Sequence, residues 1–99
     1  MTAEIKIQEK ITVLIQPPAN YKVVFQNDDH TPMEFVIELL TTIFSHSESA
    51  AKDITLEIHN EGSAVVGIFN HEIAEHKAVE ATKLSRINGF PLQIDIEKE

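Results

Sequence analysis

Between residues 21 and 44 the hydrophobic period of the chain changes once, and this change limits the fold more than any other feature. Tyr21, Val23 and Phe25 alternate with Lys22, Val24 and Gln26, the pattern of a strand with one strongly apolar face. Asn27-Asp28-Asp29-His30 follows as a cluster of turn formers. Thr31-Pro32-Met33-Glu34 then predicts a helix start: a Thr hydroxyl to cap, a Pro suited to the first turn and a Glu three residues after the cap. Met33, Val36, Ile37, Leu40, Ile43 and Phe44 recur at helical spacing. The domain must therefore mix strands and helices.

The remaining signals extend this pattern. Ser47 and Glu48 open a second helix with Ala51, Ile54 and Ile58 on one face, and Gly62 suits its C-terminal cap. Ala64 to Phe69 is short and nearly all apolar, as expected of a central strand. Asn70 can cap a third helix with Glu72 in its first turn. Ile73, Lys77, Glu80 and Leu84 mark its faces, Lys83 and Arg86 suit its last turn, and Asn88-Gly89 ends it. After Pro91, Leu92, Ile94 and Ile96 alternate with Gln93, Asp95 and Glu97, a closing strand with one wet face. The order β-α-α-β-α-β predicts an α+β domain, three helices packed on one face of a three-stranded sheet. Residues 1–19 read as a flexible N-terminal extension. In it Ile5 and Ile7 alternate with polar neighbours, Ile11, Val13, Leu14 and Ile15 follow, and Pro17-Pro18 is a stiff break before a core of residues 20–99.

Composition narrows the function. Ninety-nine residues allow one domain. Eight Lys+Arg against sixteen Asp+Glu give a net charge of −8, which repels phosphate and disfavours nucleic acid or anionic lipid. Cationic or amine-bearing partners fit better. The absence of cysteine excludes disulfides, thiolate zinc sites, iron–sulfur clusters and a cysteine nucleophile, and suits a reducing, cytoplasmic setting. No apolar run approaches the roughly 18 residues of a membrane span, and the first residues lack the apolar block of a signal peptide.

Candidate chemistry is sparse. His71-Glu72-Ile73-Ala74-Glu75-His76 looks like a zinc-protease helix, but its histidines are five apart, about 140° round a helix. Asn27-Asp28-Asp29 lacks the spaced oxygens and the glycine of a calcium loop. No nucleophile motif, phosphate-binding loop or dinucleotide fingerprint occurs, so neither an enzyme nor a cofactor or metal site is expected. One juxtaposition does point to a ligand. The acidic turn leads straight into the apolar face of the first helix, and a protonated amine beside an apolar side chain complements such a place.

Tyr21-Lys22-Val23-Val24, then Asn27-Asp28-Asp29, Thr31-Pro32-Met33-Glu34-Phe35-Val36, and later His59-x-x-Gly62 and Gly67-x-Phe69, closely resemble the ClpS family, adaptors that deliver N-degron substrates to an AAA+ Clp protease. The resemblance runs from about Tyr21 to Glu97. It implies three strands and three helices related to the C-terminal domain of the ribosomal stalk protein. It also implies that Asn27, Asp29 and His59, with Asp28 alongside, hold a substrate's free α-amino group. The substrate's first side chain, in the family Leu, Phe, Tyr or Trp, would enter a pocket walled by Phe25, Thr31, Met33, Val36, Thr55, Ile58 and Leu92. Met33 resembles the residue that gates that pocket against β-branched side chains. Thr55 departs from the pattern, standing where a larger apolar residue, often Met, is usual. It should widen the pocket or wet its floor, and so relax the exclusion of Ile and Val.

The same resemblance implies a monomeric, non-enzymatic protein whose partner is the N-terminal domain of a ClpA- or ClpC-type unfoldase. Glu72 and Lys77 match positions that contact it, and residues 1–19 correspond to the extension that engages its pore. The competing reading is a regulatory module that modulates the unfoldase without recognising N-terminal residues.

Overall fold

The computed structural model describes residues 19–99, so the extension expected over residues 1–19 lies, except for Ala19, outside them. Six elements follow in the predicted order: β1 (Asn20–Gln26), α1 (Met33–Thr42), α2 (Glu48–Glu61), β2 (Ser63–Asn70), α3 (His71–Ile87) and β3 (Ile94–Lys98). The sheet is antiparallel with order β2-β1-β3. Val23 and Phe25 of β1 are fully buried, flanked by Ile96 and Ile94 on one side and by Gly67 and Ala64 on the other. They meet Val36, Leu39, Leu40, Ile43 and Phe44 from α1, Ala51 and Ile58 from α2, and Ala74, Ala78 and Ala81 from α3.

Two expectations change. The apolar strand over 64–69 is not central: β2 lies at an edge and β1 occupies the middle. A register shift opposite Val23/Val24 inserts an extra residue in β2, which buries Val66 and leaves Val65 and Ile68 exposed. The unbroken apolar run thus records a bulge, which resets the in–out alternation, rather than burial on both faces. The first helix is not capped by Thr31. Its N-cap is Pro32, which makes no side-chain cap bond, and Glu34 sits in the first turn as predicted.

On α3 the residues facing the core are Ala74, Ala78, Ala81 and Ser85. Ile73 and Leu84, on other faces of the helix, are exposed. The other caps match the sequence: Ser47 Oγ accepts from the Ala50 amide, Asn70 Oδ1 accepts from the Ile73 amide, and Gly62 ends α2 with φ 92°. Between α1 and α2 the chain reverses through Ser45 at φ 59°, and His46 Nε2 lies 2.6 Å from the Val66 carbonyl oxygen, fastening this connection to β2.

Candidate functional site

The turn after β1 is set by two contacts. The Asn27 amide donates to the Gly62 carbonyl at 2.8 Å, which ties the turn to the C-terminal end of α2. A left-handed residue at that end needs glycine, so Gly62 brings the last turn of α2, with Ile58 and His59, opposite residues 27–31. Asp28 then fixes the loop internally. Its Oδ1 accepts from the His30 and Thr31 amides at 2.8 and 2.7 Å, and its Oδ2 accepts from the Thr31 hydroxyl at 2.8 Å. Partial burial would raise the Asp28 pKa, but these hydrogen bonds and the nearby His30 outweigh it and hold the carboxyl below its usual range. Thr31 fails to cap α1 because its hydroxyl is committed to Asp28.

Nine of the predicted site residues surround one cavity of about 240 Å³: Asn27, Asp28, Asp29, Thr31, Met33, Val36, Thr55, Ile58 and His59. Val36, Thr55 and Ile58 are buried and give it an apolar floor, while Met33 is 41% exposed. Among the described residues, no side-chain hydrogen bond or ion pair uses Asn27, Asp29 or His59. All three are exposed, so one amide, one carboxylate and one imidazole present acceptors to whatever enters. The Thr55 hydroxyl donates to the Ala51 carbonyl at 2.7 Å. It is satisfied within its own helix, which leaves its methyl as the group free to line the cavity.

Phe25 and Leu92 do not line the cavity. They are buried in the core at 0% and 1% exposure. Leu92 is held there by a residue the sequence reading took for a helix-terminal charge: Arg86 Nη1 donates to the carbonyls of Phe90 and Leu92 at 2.8 and 2.9 Å. Glu72 and Lys77 are placed differently from each other. Glu72 is exposed in the first turn of α3. Lys77 Nζ donates to the Ile43 carbonyl at 2.7 Å and lies 5.9 and 5.4 Å from the ring centres of Phe44 and Phe69. It clamps α3 to the end of α1. His71 and His76 each face a glutamate one turn on, Glu75 and Glu80, at 3.7 Å. Among the described residues no three potential ligands converge on a metal position, and no helix is long and apolar enough to cross a membrane.

Two comparisons place this geometry. A structure of Agrobacterium tumefaciens ClpS2 bound to L-phenylalaninamide matches with a TM-score of 0.80 and 45% identity, covering 83% of this chain and 99% of that one. The family described as ATP-dependent Clp protease adaptor protein ClpS matches residues 16–95, well over half of the sequence, and spans every element of the fold except the end of β3. The chain belongs to the ClpS family of Clp protease adaptors.

Proposed function

We propose that this adaptor binds proteins through a free N-terminal Leu, Phe, Tyr or Trp and delivers them to a cytoplasmic ClpA- or ClpC-type unfoldase, acting as a monomer without a cofactor. The observation that carries this reading is three uncommitted acceptors, Asn27, Asp29 and His59, set beside a cavity with an apolar floor. An α-amino group has a pKa of about 7.7–8.0, so near neutral pH it is mostly cationic and offers three donors to these acceptors. At about 240 Å³ the cavity is below the usual size for a drug-like ligand and suits one side chain. The ligand of the similar ClpS2, L-phenylalaninamide, joins a free amine to a benzyl group and is of this chemical kind.

Magnitudes agree with such a one-residue anchor. Burying a large apolar side chain contributes about 1.5–3 kcal/mol, and each charge-assisted hydrogen bond about the same. Micromolar affinity needs about 8 kcal/mol, within reach once the backbone contacts of the next residues are added. The test is fluorescence anisotropy with a Phe-starting peptide and its acetylated twin. Acetylation removes the charge and two donors, so the twin should bind at least a hundredfold more weakly. Equal affinities would leave only the module that modulates the unfoldase.

A further inference from the structure

The chain has no cysteine and no tryptophan, and its two methionines are Met1 and Met33. A two-electron oxidant that meets this protein therefore finds two thioethers as its readiest targets. Met1 lies outside the described residues. Met33 is the first residue of α1 and is 41% exposed, so an oxidant reaches it without any opening of the core. It also lines the cavity of about 240 Å³, beside Val36, Thr55 and Ile58. Among the described residues, the side chain most open to oxidation thus forms part of the wall of the candidate site.

Oxidation would change that wall in one specific way. The thioether sulfur gives an electron pair to one oxygen of hydrogen peroxide. The O–O bond breaks, an S–O bond forms, and the other oxygen leaves as water with both protons. Sulfur loses two electrons and peroxide gains them. A flexible apolar side chain becomes a polar one that carries a strong acceptor. The two hydroxyls in the lining are already engaged, Thr31 donating to Asp28 and Thr55 to the Ala51 carbonyl. An apolar ligand side chain entering the cavity would strip water from the sulfoxide oxygen, with neither hydroxyl free to replace it. We propose that Met33 is a peroxide-sensitive modification site whose sulfoxide weakens capture of N-terminal residues and whose reduction restores it. This rests on the reading of the cavity as the pocket for a substrate's first side chain.

The test treats the full chain with hydrogen peroxide and then removes it. Peptide mass mapping should find one added oxygen on Met33, formed more slowly when L-phenylalaninamide is present during treatment. By fluorescence anisotropy, affinity for a Phe-starting peptide should fall about tenfold or more. Incubation with a methionine sulfoxide reductase should restore it. The denaturant midpoint should match that of untreated protein. Met33→Leu keeps Met1 but has no thioether at the cavity, so its affinity, whatever its starting value, should be the same before and after peroxide. An unoxidised Met33, an affinity unmoved by Met33 oxidation, or a lowered midpoint that accounts for the loss would each overturn the proposal. An equal loss in Met33→Leu would place the effect elsewhere and overturn it too. These failures are separable from failure of the pocket reading, which untreated protein would show by binding the Phe-starting peptide no better than its acetylated twin. That result would remove the reading and this proposal with it.

Discussion

Asp28 and Asp29 are adjacent and chemically identical, yet the turn gives them different tasks. Asp28 is spent on the loop, accepting three hydrogen bonds from His30 and Thr31, whereas Asp29 keeps its oxygens free. Asp28→Ala should therefore destabilise the fold by about 1–2 kcal/mol, the usual cost of losing a cap-like carboxylate. Because the Asp28 pKa is lowered in the folded state, its contribution is complete above the ordinary aspartate pKa of about 3.9 and is lost as pH falls below it. Denaturant melts of wild type and Asp28→Ala at pH 7 and pH 3 should converge at the acid end. The family resemblance already set Asp28 beside the amine-holding set of Asn27, Asp29 and His59, but adjacent aspartates in a turn give no local sign of which one the loop consumes. That division depends on which carboxylate meets the Thr31 amide.

Thr55 is the other residue whose role depends on geometry. Its hydroxyl is bound to the Ala51 carbonyl, so the difference from a longer side chain is room and not polarity. A β-branched ligand is broad near its Cβ, and a pocket rejects it by crowding there. This protein should accept peptides starting with Ile or Val within about tenfold of Leu, about 1.4 kcal/mol. Thr55→Met should restore discrimination on the same Leu, Ile, Val and Phe panel. If the wild type already rejects Ile and Val as strongly as the mutant, Met33 alone is the gate.

At the level of elements, helix and strand existence was legible because caps and periods are local signals. Ser47, Gly62 and Asn70 act as their positions suggested. Two features lay beyond local signals for packing reasons. The core face of α3 is the stripe Ala74, Ala78, Ala81 and Ser85, because a helix lying close on a sheet needs small residues, whereas a reading by hydrophobic size favours Ile73 and Leu84. Lys77 illustrates the same gap, since nothing in its sequence neighbourhood reveals a carbonyl 34 positions earlier. With a charged hydrogen bond and two aromatic faces, Lys77→Ala should cost about 1–3 kcal/mol in thermal unfolding, while the exposed Glu72→Ala should leave stability unchanged. Equal melting temperatures for the two variants would return Lys77 to the surface.

At the scale of the whole molecule, the candidate capture site stands apart from a groove beside β3. The cavity lies among the β1–α1 turn, α1 and α2, whereas the groove beside β3 is lined by α3 and β3, and the two share no lining residue. The C-terminal end is held in the sheet: the Glu99 amide bonds the Asn20 carbonyl, and Asn20 Nδ2 lies 3.4 Å from Glu99 Oε1. An unfoldase drawing on this chain would therefore take hold at the N-terminal extension, on the far side of Pro17-Pro18. Deleting residues 1–15 should leave the affinity for a Phe-starting peptide within about twofold, since no extension residue enters the amine or side-chain contacts proposed for the cavity. The same deletion should abolish degradation of a model N-degron substrate by the cognate Clp protease, because the captured substrate would arrive without a handle. Loss of peptide affinity on truncation would place the extension in the binding site. Undiminished degradation would mean that the unfoldase grips the substrate directly.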